Sequence, residues 1–418
     1  MNKKKKLIPE LRFPEFVNEG EWEIDQLGQL SEIVRGGSPR PIQEYLTPSD
    51  DGLNWLKIAD VSPDSKYITG TKEKVIKEAL SSTREVSAGD LILSNSMSFG
   101  RPYILKIKTC IHDGWIAIRK ISNKTFEDYL YYFILSEASQ SYFDSNAAGA
   151  AVKNLNAEII KLLPIHLPKD KKEQQKIASC LSSLDEVIAD HSQKLELLKA
   201  HKKGLMQNLF PQEGEKVPKY RFKEFENDGE WVEKKLGAIG EPLMCKRIFK
   251  EQTTSNPEDG IPFYKIGTFG KEADSFIPIE LYEDFKNKYS FPNIGDILIS
   301  ASGTIGRLVV YDGSPAYFQD SNIVWLGNNE DLVVNSFLFY CYSAIKWQTS
   351  DGGVISRMYN SDLKNMSIKY PKGKTEQQKI ASCLSALDEL ITAQANKIEK
   401  LKLHKKGLMQ GLFPKMID

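Results

Sequence analysis

Chemistry in this chain of 418 residues would be sought first at its five histidines and five cysteines. Cys110, Cys180, Cys245, Cys341 and Cys383 have neither C-x-x-C spacing nor a neighbouring histidine pair, so they are expected to be reduced thiols rather than disulfide partners or zinc ligands. His201 and His404 occupy the same place in two copies of HKKGLMQ on helix-forming sequence. That position suits a partner-facing or capping role better than acid-base catalysis. Carboxylates are abundant, but no pair of them recurs between the two halves. The sequence lacks G-x-x-x-x-G-K-[ST], H-E-x-x-H and G-x-S-x-G, and no G-x-G-x-x-G follows a strand. It also lacks the Asn/Asp-Pro-Pro-aromatic tetrapeptide of amino-methyltransferases. These residues describe a binder that holds no metal or cofactor, not a catalyst.

The elements that must position any binding residues come in duplicate. Residues 173–211 and 376–414 are identical at roughly 28 of 39 positions, at an offset of about 203 residues. Within the first copy Ile177, Leu181, Leu184, Ile188, His191, Leu195 and Leu198 fall at alternating steps of four and three, and Leu205 follows one full heptad later, which is a heptad seam. The second copy repeats it with Ile380, Leu384, Leu387, Ile391, Gln394, Ile398, Leu401 and Leu408. One heptad helix cannot bury its stripe alone, so the two are expected to form an antiparallel intramolecular coiled coil. In that register Ile177 meets Leu408, Leu184 meets Leu401, Leu198 meets Leu387 and Leu205 meets Ile380, with His191 opposite Gln394 as a polar central layer.

Each half also opens alike. PELRFPEFVNEGEWEIDQL at residues 9–27 matches PKYRFKEFENDGEWVEKKL at 218–236, pairing Arg12 with Arg221 and Trp22 with Trp231. These aromatics are expected to dock the start of each domain by packing. Further on, GDLILSNSMSFGRPYIL at 89–105 matches GDILISASGTIGRLVVY at 295–311, and both read as strand, loop, strand. The expected architecture is therefore two similar mixed α/β (α+β) domains with a pseudo-two-fold repeat: residues 1–172, the helix 173–211, residues 212–375 and the helix 376–418. Formal net charge is zero, so bulk charge does not mark the chain for nucleic acid, and Lys3 to Lys6 read as a solvated terminus. No stretch is apolar enough to span a membrane, and Pro9, Glu10, Arg12 and Pro14 interrupt any leader-like run. A cytoplasmic location is expected.

Two variable domains, each followed by a near-identical helix ending in KKGLMQ-x-LFP, together with R-F-x-E-F, G-E-W, G-D-[LI]-[LI]-[LI]-S and E-Q-Q-K-I-A, resemble the specificity subunit of type I restriction-modification systems. The likeness spans essentially the whole chain. It implies that the variable segments are target recognition domains binding double-stranded DNA, and that the helices are spacers which also bind two modification subunits. S-adenosylmethionine, ATP and Mg2+ would then sit on the partners, with restriction subunits completing the nuclease. The rival readings are a catalytic fragment of a fused methyltransferase-nuclease and a coiled-coil scaffold that never meets DNA. Thirty-odd helical residues give a rod of about 50 Å, more than one DNA turn of about 34 Å. A bipartite, asymmetric target with an unread gap set by the coiled coil is the expectation.

On that resemblance, base reading needs donors and acceptors presented from loops on a rigid scaffold. The first domain offers Arg35, Ser38 and Arg40 in RGGSPRP, whose glycines would admit phosphates, then Lys57, Asn95, Ser96, Ser98, Arg101, His112, Asp113, Trp115, Lys153 and Asn154. The second offers Lys246, Arg247, Lys265, Ser302, Thr304, Arg307, Gln319, Asp320, Asn322, Ser356, Arg357 and Tyr359.

Overall fold

The structure is a computed structural model, and it describes residues 7–63, 65–95, 100–147, 155–345, 347 and 357–415. The chain divides into two units, residues 1–193 with 396–418, and residues 194–395. The division falls inside two 39-residue helices, Lys171–Leu209 and Lys374–Leu412, just after His191 in one and Gln394 in the other. Each unit therefore holds the first half of one helix and the second half of the other.

In the first unit the central five-stranded sheet runs Glu32–Arg35, Trp115–Arg119, Leu91–Ser94, Pro102–Leu105, Tyr67–Ile68. A second five-stranded sheet runs Leu46–Thr47, Glu73–Val75, Leu53–Leu56, Thr109–Ile111, Arg84–Val86. The apolar run LIL of the G-D-L-I-L-S motif is buried on both faces of its strand. Leu91 and Leu93 enter one core with Ile104, Ile116 and the aromatic helix Glu127–Leu135, while Ile92 enters another with Tyr103, Trp115 and Ala117. A strand covered on both sides reads as a continuous apolar run instead of an alternating one.

The second unit repeats this with Gly240–Leu243, Ile323–Asn328, Ile297–Ser300 and Leu308–Val310 in one sheet and Phe276–Ile277, Ile261–Tyr264 and Tyr317–Phe318 in another. Its strand splits in the same way, Ile297 and Ile299 to one core and Leu298 to the other. The G-D pair that precedes each strand has a local cause. Gly89 and Gly295 take φ of 91° and 90°, where a side chain would be strained. Asp90 and Asp296 then accept from the backbone N–H of Ser87 at 2.9 Å and of Asn293 at 2.8 Å, closing the turn.

Each half-pair of helices is antiparallel within its own unit. In the first, Leu408, Leu412 and Phe413 pack with Ile177 and Leu181, and in the second Leu205, Leu209 and Phe210 pack with Ile380 and Leu384. Ile177 and Leu408, expected to meet, belong to one core, and Leu205 and Ile380 to the other. No seam residue is exposed, whereas the off-seam Val187, Leu197, Leu390 and Leu403 are.

Two polar devices recur that no local pattern announces. Arg12 grips Glu173 through Nε and Nη2, both at 2.7 Å, and donates Nη1 to the carbonyl of Gly20 at 2.7 Å. Arg221 does the same to Glu376 at 2.7 Å through both nitrogens and to the carbonyl of Gly229 at 2.6 Å. The R-F-x-E-F box and the E-Q-Q-K-I-A helix opening are the two sides of one buried ion pair. Trp22 and Trp231 are buried against the aromatic rings of Tyr129 and Phe337, as the packing expectation required.

The second device joins three elements. Tyr132 donates to Asp185 at 2.8 Å and Lys405 meets the same carboxylate at 2.5 Å. In the other unit Tyr340 donates to Asp388 at 2.9 Å and Lys202 meets it at 2.5 Å. The first lysine of each KKGLMQ is thereby committed inside its unit. His201, Lys203 and Gln207, and likewise His404, Lys406 and Gln410, remain on the exposed side.

His166 lies on the buried strand Pro164–Leu167, its ring 5.3 Å from that of Phe133. Burial pushes its imidazole down to about 4, against the smaller opposing effect of a hydrogen bond with the backbone of Pro414. Above pH ~6.5 both folded and unfolded histidine are neutral and this contribution is fully present. Between pH ~6.5 and ~4 only the unfolded chain takes the proton, so stability falls as pH falls. Urea midpoints of His166→Gln should drop less than wild type across that window. Parallel pH profiles would refute the assignment.

Candidate nucleic-acid interface

In each unit several of the candidate side chains meet at a corner where the chain leaves one sheet for the other. In the first unit, strand Thr109–Ile111 turns through His112, Asp113 and Gly114 into Trp115–Arg119. Beside this corner runs the loop that leaves Glu32–Arg35. The two glycines of RGG lie against protein backbone: a Cβ on Gly36 would stand 2.2 Å from the carbonyl oxygen of His112, and one on Gly37 2.3 Å from that of Ser82. Their smallness serves this internal approach, which corrects the expectation that they admit phosphates.

Asp113 gathers the corner together. Its carboxylate accepts from Ser38 Oγ at 3.1 Å, meets Arg40 at 3.4 Å and lies 3.0 Å from His112 Nδ1. Its main-chain carbonyl accepts from Arg35 Nε at 3.2 Å and from Asn95 Nδ2 at 3.0 Å. Burial works to raise its pKa, but His112, Ser38, Arg40 and Arg35 together outweigh it, so the carboxyl lies below the usual range. Arg35 and Arg40 are exposed around this anchor, and Lys57 pairs with Glu73 at 2.6 Å nearby in sequence to the second sheet.

The second unit builds the same corner from different residues. Strand Tyr317–Phe318 turns through Gln319, Asp320, Ser321 and Asn322 into Ile323–Asn328. Arg247 Nε donates to Asp320 Oδ2 at 2.9 Å, Arg357 donates to the carbonyl of Ser321 at 3.2 Å, and Ser302 Oγ donates to Asn322 Oδ1 at 2.8 Å. Gln319 Oε1 accepts from the N–H of Ile266 at 3.0 Å, pinning the neighbouring loop that carries Lys265, itself paired with Asp274 at 2.7 Å. Thr304 and Tyr359 are exposed, and Lys246 places Nζ 5.0 Å from the ring of Tyr289.

Several candidates are corrected by burial. Trp115 is 1% exposed and packs edge-on against Tyr103 with ring centroids 5.7 Å apart, so it is a core residue and no base reader. Asn95 is buried too, and its amide holds the Asp113 corner instead of facing outward. Arg101 has a buried Nε and lies 6.0 Å from the ring of Tyr103, while Arg307 donates Nη1 to the carbonyl of Phe269 at 2.8 Å and so braces that loop. Ser96, Ser98, Lys153, Asn154 and Ser356 lie outside the described residues. Sequence spacing did not reveal that Asp113 and Asp320, at equivalent corners, brace the arginines beside them.

Among the described residues no group of histidine, cysteine and carboxylate side chains could hold a metal ion. None of their helices is long and apolar enough to cross a membrane. The burial that raises Cys110 to about 11 and Cys245 to about 12 leaves these thiols protonated and inert.

Comparison with known proteins also finds two copies of one domain. A family model for the type I restriction modification DNA specificity domain matches residues 19–200 and 228–403. A putative type I restriction enzyme specificity subunit of Haemophilus influenzae is 54% identical over 155 residues, covering 37% of this chain and 40% of that protein. The putative type I restriction enzyme MjaX specificity subunit of Methanocaldococcus jannaschii is 26% identical over 424 residues, 94% of this chain and 93% of that one. The crystal structure of a type I restriction-modification S subunit from M. genitalium shares the fold with a TM-score of 0.59 at 15% identity, covering 98% of this chain and 100% of the other.

Proposed function

This chain belongs to the type I restriction-modification DNA specificity family, and from that premise we propose that it is the non-catalytic, sequence-reading subunit of a complex whose partners modify or cut DNA. The observation that carries the reading is the repeated corner. One frame presents Arg35, Ser38 and Arg40 around Asp113 in one unit, and Arg247 and Arg357 around Asp320 and Ser321 in the other. Basic loops held on rigid strands suit recognition of base edges in a groove. Because the two sets differ, the target is bipartite and asymmetric. Two modification subunits bind S-adenosylmethionine and methylate adenine, while restriction subunits use ATP and Mg2+; neither chemistry has residues of its own on this chain.

The partners dock on the outer face of the KKGLMQ segments. Gly204 and Gly407 sit late in their helices, where glycine costs about 1 kcal/mol relative to alanine. A Cβ on either would meet nothing within 4 Å. Packing inside the chain therefore gives no reason for the missing side chain, and a closely approaching partner backbone does.

Co-expressing the chain with its modification subunits, in a host without other adenine methylation, tests the reading. Mapping should return one motif of two unlike halves around an unread gap, absent when this chain is omitted. The purified chain alone should transfer no methyl group from labelled S-adenosylmethionine. Transfer without partners would overturn the non-catalytic assignment.

A further inference from the structure

We propose that Arg247, braced by Asp320, reads a guanine in the half-site bound by the second unit. The inference rests on the specificity reading above and names one of its contacts. Arg247 stands between two anchors, Cys245 and Ile248, both buried, so its backbone is fixed on either side. The preceding carbonyl, that of Lys246, accepts from Tyr317 OH at 3.0 Å. Lys246 itself turns to the ring of Tyr289, leaving Arg247 as the outward cation of the pair.

The brace determines how the guanidinium is presented. Asp320 takes Nε at 2.9 Å and, among the described residues, no hydrogen bond occupies Nη1 or Nη2. The arginine side chain is 60% exposed while the carboxylate is 16% exposed, so the acid lies beneath and the fork points out. Ser321 steadies the same carboxylate oxygen, donating Oγ to Asp320 Oδ2 at 3.0 Å from a left-handed backbone with φ of 55°. Such a conformation is uncommon for a residue with a side chain and needs surrounding structure to hold it.

Charge decides between base and phosphate. An arginine neutralised by an adjacent carboxylate attracts phosphate weakly, because the acid repels the same oxygens. Directional hydrogen bonding survives the neutralisation. Two free terminal amino groups in a rigid fork match O6 and N7 of guanine, the bidentate pairing characteristic of major-groove readout. The first unit lacks this geometry: Arg40 reaches Asp113 only at 3.4 Å, and Arg35 bonds a main-chain carbonyl.

The test uses the complex with its modification subunits and methylation of duplexes altered at single positions. Arg247→Lys keeps the charge and loses the fork. Discrimination at one G·C pair of the second half-site should fall by about 10- to 100-fold, with the first half-site read as before. Asp320→Ala should relax the same pair by a smaller factor. Uniformly weaker methylation with an unchanged motif would make Arg247 a phosphate contact and overturn the proposal, as would relaxation at an A·T pair or in the first half-site. A wild-type complex that methylates no bipartite motif would instead overturn the specificity reading beneath it.

Discussion

Replacing Glu173 with alanine will destabilise the first unit by about 3–5 kcal/mol, the scale expected when one member of a buried ion pair is removed. The side chains of Arg12 and Glu173 are 6% and 1% exposed, and two parallel hydrogen bonds of 2.7 Å join them. Alanine at 173 leaves a guanidinium facing a dry pocket with only the carbonyl of Gly20 for company. A buried charge without its counter-ion is costly in a way that an exposed one is not. Glu376→Ala should do the same to the second unit, where Arg221 and Glu376 repeat both exposures and both distances. Replacing Arg12 and Glu173 together by Met and Leu should restore most of the loss, since an apolar pair avoids desolvating either charge. Hydrogen exchange of each unit against urea would measure these effects. A loss below about 1 kcal/mol in Glu173→Ala would mean the pair behaves as a surface salt bridge.

What could be seen in the sequence was what obeys a short period or a direct repeat. The heptad steps from Ile177 to Leu205 and from Ile380 to Leu408 identify the seams, and no seam residue proves exposed. The G-D-[LI]-[LI]-[LI]-S run identifies a strand buried on both faces because only continuous apolarity satisfies two cores at once. Arg12 and Glu173 are 161 residues apart, and no local rule connects them. Asp185, Tyr132 and Lys405 come from three segments whose meeting depends on how the helices pass one another. Trp115 misled for a related reason: it follows two plausible reading residues, His112 and Asp113, but it opens a strand that is covered on both faces. The glycines of RGG resembled a phosphate loop, whereas a close carbonyl from elsewhere in the fold accounts for them.

Truncating the phenylalanine after each helix should produce crossed damage. Phe413 ends the second helix, yet its ring lies 5.9 Å from Tyr129 and 5.6 Å from Phe133, in the core of the first unit. Phe210 ends the first helix, yet it stacks on Phe337 at 5.4 Å and meets Trp231 at 5.9 Å, in the core of the second. A buried phenylalanine cut to alanine costs about 3–5 kcal/mol through lost transfer energy and the cavity left behind. Phe413→Ala should therefore speed hydrogen exchange in the aromatic helix Glu127–Leu135, on the opposite half of the sequence, and spare Asn335–Ala344. Phe210→Ala should show the reverse. The two L-F-P tails thus act as latches, each carried by a helix that begins in the other unit, and the first core is not complete until the C-terminal helix has been made. Exchange that accelerates in the unit where each helix begins, and not where it ends, would contradict the antiparallel helix arrangement on which both cores depend.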